Sequence, residues 1–366
     1  MLARRAAGLW SLRPLASATK DADGIDYINA RVDKESLRKL RQRTGYSFVN
    51  CKKALVHFPD DFEAATRWLA QLAKEQGWEK ANKMGNRLAA EGVIGLATSG
   101  GAGALVEVNC ETDFVARNPE FQSLAAAATL TALSMAHQLH KASHRNSITF
   151  SGHELLDMKI PDVGIAEIPA KERLGDMLTY TLGKLGEKLE LKRAACLDYT
   201  RPNVKVVGYA HPRPPRPHPS GVLLGQFGTL VAIQRGELEE GAFPTETLGQ
   251  QLGQQIVGLS PTSVGVAWTS EEAAQRQAAK DAVAKADLEA KKKVAEAAED
   301  EGEEGLLEAE GQGGSSTDLD TAQSELLKQD FLLHPAISVA HLLKSHDAEV
   351  LEFLRFECGE THEKGE

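Results

Sequence analysis

The chain has 366 residues, of which 42% are apolar and 26% charged, and its formal net charge at pH 7 is -10. That length suits two or three domains with a sizeable core, and an acidic chain without a basic stripe argues against wrapping nucleic acid. No run of about eighteen apolar residues occurs, so no transmembrane helix and no membrane partner are expected.

Residues 1–20 hold Arg4, Arg5, Arg13 and Lys20 among Ser and Ala, with no acid before Asp21. Leu2, Leu9, Trp10, Leu12 and Leu15 supply an apolar side. This is the pattern of a mitochondrial transit peptide, and Arg13-Pro14 interrupts the apolar core that a secretory signal needs. An unstructured tail is the alternative. Residues 33–76 read as three short helices. Asp33 caps the first, which carries Leu37 and Leu40, and Gly45 breaks it. Phe48, Cys51, Leu55 and Phe58 fall at helical spacing in the second. Pro59-Asp60-Asp61 makes a turn and cap before the stripe Phe62, Ala65, Leu69 and Leu72. A bundle of this size matches a ubiquitin-associated-type domain, and a tether over 77–91 follows it.

Gly92–Thr98 and Ala104–Cys110 read as a hairpin around Ser99-Gly100-Gly101-Ala102-Gly103. Residues 119–142 are helical, and a polar loop then runs to about Pro169. A helix over Lys171–Lys188 and a strand over Leu189–Leu197 complete a first core subdomain, 92–200. A similar order returns in a second, 201–268 with 329–360. Val204–Tyr209 is strand. A proline-rich turn, His211 to Pro219, replaces the glycine turn. Val222–Ile233 is strand again, kinked at Gly225 and Gly228, and a helix covers Thr245–Val257. Each half is a small antiparallel sheet covered by helices, an α+β class. Residues 269–328 form an insertion. Its Ala/Lys/Glu/Gln stretch over 270–298 has high helix propensity and almost no large apolar residue, so it reads as a solvated helix. Residues 299–324, acidic and then Gly/Ser-rich, read as disordered. Order returns at Phe331, with a helix over Val339–Ser345 and a strand over Val350–Cys358.

Few patterns suggest chemistry. Gly100-Gly101-Ala102-Gly103 lacks a Walker lysine and is followed by a strand, so it reads as a hairpin turn. His137, His140 and His144 have a spacing a metal uses, but no acid or cysteine accompanies them, and solvated histidines near a helix end are the plain alternative. No GxSxG or HExxH occurs. The four cysteines, Cys51, Cys110, Cys196 and Cys358, contain no CxxC, and all four are expected to be thiols, mostly buried. No catalytic residue, metal ligand or cofactor is therefore assigned, and the chain is read as a non-enzyme.

The most distinctive run is Asn109-Cys110-Glu111-Thr112-Asp113-Phe114-Val115, where the strand Ala104–Val108 ends and a helix is about to begin after Pro119. It places an acid and a bare aromatic at a tip, and an exposed aromatic is a common anchor for a partner protein. A turn acid with a core aromatic remains the alternative. Likewise Arg41, Arg43, Lys52 and Lys53 fit a solvated helical face, and Phe48 and Val49 fit a bundle core.

Taken together the segments resemble elongation factor Ts, in its mitochondrial form. Residues 37–55, LRKLRQRTGYSFVNCKKAL, resemble the family's N-terminal signature, and 106–121, VEVNCETDFVARNPEF, its second, with the T-D-F-V element. Residues 187–197, EKLELKRAACL, and 339–359, VAHLLKSHDAEVLEFLRFECG, are similar to a helix-to-strand passage and a C-terminal segment of the family. The resemblance implies a guanine-nucleotide exchange factor for mitochondrial elongation factor Tu in its GDP form, working in the mitochondrial matrix. Thr112, Asp113, Phe114 and Val115 would disturb the partner's magnesium site. Arg41, Phe48, Val49 and Lys52 would contact its nucleotide domain, although bacterial members often have methionines at the positions of Phe48 and Val49. Two departures stand out. The Ala/Lys helix and acidic linker replace the bacterial coiled-coil hairpin without a heptad seam, and the proline-rich turn leaves open whether His211 touches the partner. Two other functions stay open: an adaptor that uses only the helical bundle, and an enzyme with dispersed catalytic groups.

Overall fold

Three helices open the described part of the chain: α1 (Lys34–Thr44), α2 (Phe48–His57) and α3 (Phe62–Met84). The structure, a computed structural model, describes residues 30–276, 278, 282, 285, 286, 289 and 323–360, apart from 45, 47, 60, 85, 86, 166, 167, 169–171, 200 and 237–242. The transit-peptide segment 1–20 and most of the insertion lie outside the described residues.

The contacts divide the chain into two units, the first being the three helices together with residues Thr179–Gly186. Local chemistry starts its helices. The Asp33 carboxylate accepts the Ser36 N–H at 2.7 Å, and Asp61 accepts those of Glu63 and Ala64 at 3.0 and 2.8 Å. Both are helix caps of the kind their sequences suggest. Leu37, Leu40, Tyr46, Cys51, Ala54, Leu55, Ala65, Leu69 and Ala73 make the core. The structure differs from expectation at the far end, because α3 continues to Met84 where a tether over 77–91 was expected. Gly77 does not break the helix: it lies where an added Cβ would come within 2.1 Å of the Thr179 carbonyl oxygen. The glycine is there for close approach of another segment, and that packing outweighs its helix penalty.

The second unit comprises residues Asn86–Leu178 and Glu187–Glu366. Its elements are β1 (Glu91–Ser99), β2 (Ala102–Cys110), α4 (Asp113–Ala116), α5 (Pro119–Ser143) and β3 (Ser147–Ser151), followed by α6 (Leu174–Leu185), whose last turns belong to the first unit. β4 (Leu189–Asp198), β5 (Val204–His211), β6 (Leu223–Gly225), β7 (Phe227–Arg235) and α7 (Thr245–Leu259) come next, then β8 (Asp330–Phe331), β9 (His334–Ser338), α8 (Val339–Ser345) and β10 (Ala348–Glu357). They build a five-stranded sheet in the order β3-β4-β2-β1-β6, a three-stranded sheet in the order β10-β7-β5, and the pair β8-β9. Every pairing within these sheets is antiparallel.

The fold is thus mixed α and β, with N-terminal helices and antiparallel sheets. The two larger sheets share one core, in which Ile94, Leu96, Leu105 and Leu197 meet Val204, Val206, Leu230 and Phe356. The other face of the three-stranded sheet packs Val207, Val231, Ile233 and Val350 against Leu248, Leu252 and Ile256 of α7 and Leu342 and Leu343 of α8. α5 lies on the five-stranded sheet through an alanine run, Ala125–Ala128, that is fully buried. Its threonines tie their hydroxyls back to the helix, Thr129 to the Ala125 oxygen and Thr131 to that of Ala127, both at 2.7 Å, so buried hydroxyls find partners.

Three expectations need correcting in this unit. The polar loop expected up to about Pro169 contains β3, which pairs with β4, and a single 3₁₀ turn, Gly152–Leu155, closed by a Ser151/Glu154 capping box. The S-I-T-F-S alternation of β3 is of strand length, but it stands in a polar stretch that reads as loop. The kinked strand expected over Val222–Ile233 is two strands in two sheets: β6 pairs with β1, whereas β7 pairs with β5 and β10. The planned boundary between two core halves is therefore crossed by a strand. Finally, the last residues of the insertion expected over 269–328 are ordered parts of this unit: Leu326–Lys328 form a 3₁₀ turn, and Leu326 is fully buried. The Trp268 indole donates to the Lys328 carbonyl at 3.1 Å, and Arg276 donates to the same oxygen at 2.9 Å and to Asp330 at 3.2 Å, so its two stems are tied together.

Candidate functional site

The site is built where β2 leaves the five-stranded sheet. Cys110 pairs with Leu189 at the end of the β2–β4 ladder, so the chain leaving β2 runs beside the chain entering β4. Thr112 is extended, with φ -131° and ψ 152°, and its side chain caps α4 by accepting the Val115 N–H at 3.4 Å. Asn118 then caps α5, accepting the Glu120 N–H at 2.8 Å, and Pro119 opens that helix. Two caps six residues apart confine α4 to one short turn.

That turn sorts its side chains sharply. Val115 and Ala116 are buried, whereas Phe114 is 79% exposed. Asp113 forms an ion pair with Arg117 at 2.9 Å, one turn on, with both side chains largely in solvent. The expected tip is thus in place with Asp113 and Phe114 facing outward. Val115, named with them, is turned into the core and is held there by apolar contact; it anchors the turn and presents no surface.

Beneath the tip two carboxylates take up the chain's polar groups. Glu187 accepts the Thr112 hydroxyl at 2.9 Å and the Thr112 N–H at 3.1 Å. Glu111 accepts the Lys188 N–H at 2.9 Å and reaches Arg87 at 3.4 Å. The Cys110 thiol donates to the Thr112 carbonyl at 3.1 Å. Burial, helped by the charge of Glu187, pushes that thiol up to about 12, so it stays protonated at neutral pH. Glu187 escapes sequence reasoning as part of this site: it lies 75 residues from Thr112, and only the β2–β4 register brings them together.

In the first unit the named residues gather around the passage from α1 to α2. Arg41 is exposed in the last turn of α1. Phe48 and Val49, at the start of α2, are 53% and 59% exposed, and Lys52 is half-buried. The alternative that Phe48 is a core residue does not match the structure. Cys51 and Leu55 are buried but Phe48 is not, because Tyr46, 4% exposed, fills that end of the bundle with its carbonyl taking the Cys51 thiol at 3.6 Å.

Other patterns resolve without forming a site. His144 is the left-handed C-cap of α5, and His140 lies 3.0 Å from the Arg145 carbonyl; the His137 side chain lies outside the described residues. Among the described residues, no group of three or more His, Cys, Asp or Glu side chains is arranged to hold a metal ion. His211 is exposed and stacks beside Tyr209, whose ring also lies under the Arg213 guanidinium at 5.5 Å. All four cysteines are thiols; Cys51, Cys110 and Cys196 are buried and Cys358 is half-buried.

Comparison with known proteins adds to this geometry. The family model "Elongation factor TS" matches residues 111–360, and "Elongation factor Ts, mitochondrial, N-terminal" matches residues 25–79. A Branchiostoma floridae protein is 35% identical over 339 residues, covering 91% of both chains. A Homo sapiens protein is 35% identical over 335 residues, covering 91% of this chain and 85% of its own. One from Bos taurus is 34% identical over 338 residues, covering 91% and 82%. Each of the three is named "Elongation factor Ts, mitochondrial".

Proposed function

This chain belongs to the elongation factor Ts family of translation elongation factors, and from that footing we propose that it is the guanine-nucleotide exchange factor for mitochondrial elongation factor Tu. It works in the mitochondrial matrix, reached by a transit peptide over residues 1–20, and it binds the partner in its GDP form. The mitochondrial names of the relatives support the compartment.

The observation that carries the reading is a large aromatic, Phe114, held out at 79% exposure from a turn whose neighbours are buried and braced. A core gains nothing from such a residue; a partner's surface does. Phe114 enters the partner near its nucleotide site, with Asp113 fixing the approach, and the magnesium ion there is displaced. GDP is held by a phosphate cradle and that ion, so losing the cation weakens the hold. The helical unit, of ubiquitin-associated type, docks on the partner's nucleotide domain through Arg41, Phe48, Val49 and Lys52.

No bond is made or broken in this scheme. The factor spends interface energy to favour a partner conformation that holds nucleotide poorly, and coupling is reciprocal, so nucleotide expels the factor as strongly as the factor expels nucleotide. About 1.4 kcal/mol of coupling changes nucleotide affinity tenfold. The test is release of fluorescent GDP from purified mitochondrial elongation factor Tu with substoichiometric amounts of this chain. Acceleration with turnover is expected. No acceleration would sink the exchange reading and favour an adaptor that uses the exposed Phe48 and Val49 alone.

A further inference from the structure

Phe114 has almost no packing of its own, so the backbone of α4 alone sets the direction in which it leaves the surface. That backbone is weakly held from within. α4 has four residues, and the two i to i+4 bonds that close it are long, Ala116 N–H to the Thr112 oxygen and Arg117 N–H to the Asp113 oxygen, both 3.2 Å, with a shorter bond of 2.9 Å from Asn118 N–H to the Val115 oxygen at its end. The Asp113–Arg117 pair lies in solvent, with side chains 45% and 76% exposed, and pairs of that kind contribute little.

The firm holds come from outside the turn. Glu187, two residues before β4, accepts both the hydroxyl and the N–H of Thr112. Hydrogen bonds to an ionised carboxylate are the strong class. The same Thr112 hydroxyl also caps the turn, accepting the Val115 N–H over a longer 3.4 Å. One oxygen therefore links a carboxylate anchored beside the β2–β4 ladder to the first turn of the helix that carries Phe114. A threonine is the residue for this, since its hydroxyl gives one hydrogen bond and accepts another.

We propose that Glu187 is a positioning residue for nucleotide exchange: through Thr112 it fixes α4 so that Phe114 is presented ready-aimed to the partner. This rests on the exchange reading above and extends it to a residue outside the exposed tip. Glu187 acts by preorganisation. A loosened turn still reaches the partner but must be ordered at each encounter, and that ordering subtracts from the energy available to distort the nucleotide site.

The experiment pairs a structural readout with a kinetic one on the full chain. Amide hydrogen exchange at Ala116 and Arg117 is compared in wild type, Glu187→Ala, Thr112→Val, the double variant and Thr112→Ser. Fluorescent GDP release is then followed against factor concentration, separating maximal rate from half-saturating concentration. In Glu187→Ala the α4 amides should lose roughly tenfold of their protection, equivalent to ~1.4 kcal/mol, while those of β2 and α5 are unchanged. The maximal rate should fall by about the same factor with the half-saturating concentration nearly constant, because docking by the helical unit is untouched. Thr112→Ser should restore both, and the double variant should be no worse than Thr112→Val alone. Unchanged α4 protection in Glu187→Ala overturns the proposal, and so does loosened α4 with a full maximal rate. If wild type itself fails to release GDP, the exchange reading falls, and the role proposed for Glu187 falls with it.

Discussion

Replacing Phe114 with alanine should separate function from folding. A phenylalanine side chain can bury about 200 Å², and with 79% of Phe114 in solvent about 160 Å² remains for a partner to cover. At ~25 cal/mol per Å² that is worth about 4 kcal/mol. Some is lost in ordering the side chain, so a loss of ~2–4 kcal/mol, in the range of interface hot spots, is expected. This corresponds to a fall of roughly 30- to 1,000-fold in the apparent second-order rate of GDP release. The same change should move the unfolding free energy by no more than ~0.5 kcal/mol, because the contacts removed are few and alanine favours a helical turn at least as well. The assay is stopped-flow release of fluorescent GDP, with a urea melt on the same preparations. A release rate within about threefold of wild type would refute the hot-spot reasoning. A melt shifted by more than about 2 kcal/mol would show that Phe114 is a core residue after all.

Three further outcomes follow from the geometry. Glu107 is fully buried and accepts Arg193 at 2.6 Å, Lys192 at 3.4 Å and the Gly359 N–H at 2.8 Å, so Arg193→Met should remove the shortest of its ion pairs, leave the carboxylate only partly compensated and cost ~2–3 kcal/mol in urea unfolding. The double variant Glu107→Gln/Arg193→Met should recover part of that, and a single-variant cost under about 1 kcal/mol would contradict it. Burial pushes the thiols of Cys110, Cys196 and Cys358 from an ordinary 9.0 up to about 12. The folded chain therefore keeps protons that the unfolded chain releases: this stabilisation is intact below pH 9 and is lost as pH rises towards 12. At about pH 8 a thiol reagent should label the native chain far more slowly than the chain in urea, and prompt native labelling of any of these three would refute the assignment. Excising residues 277–322 behind a short linker should leave GDP release within about tenfold of wild type, since the stems at Trp268, Arg276 and Lys328 already hold each other. A larger loss would assign that segment a part in exchange.

Much of the tip was legible because its signals are local. A strand that ends in polar residues, an Asn-Pro pair that opens a helix and an aromatic between them specify a turn with few alternatives. The structure supplies what distance in sequence hides. Nothing near Glu187 marks it as a partner of Thr112, since strand register is a property of two segments at once. For Phe48 the residues by themselves leave two readings, for a related reason. Helical spacing identified a stripe, but which end of it reaches the core depends on Tyr46 from the preceding turn. The end of α3 escaped in the opposite sense: a tether was expected from residue 77, yet the helix runs on to Met84 through Gly77, where close packing on Thr179 requires a small residue. The split of Val222–Ile233 into β6 and β7 escaped because burial is nearly continuous along both strands, and a run buried on both faces carries no alternation to show where it changes sheets.

That change of sheets has a mechanical meaning. Gln226 alone stands between Gly225, paired with Ile94 in one sheet, and Phe227, paired with Glu357 and His211 in the other. A single residue thus carries load from the outermost strand of one sheet to the central strand of its neighbour. Fraying of either ladder tugs on the other before any slack is taken up. The two sheets should consequently open to solvent together, as one cooperative block rather than as separable halves. Neither half of the core can be borrowed, permuted or lost without the other, whatever repetition the order of strands and helices suggests.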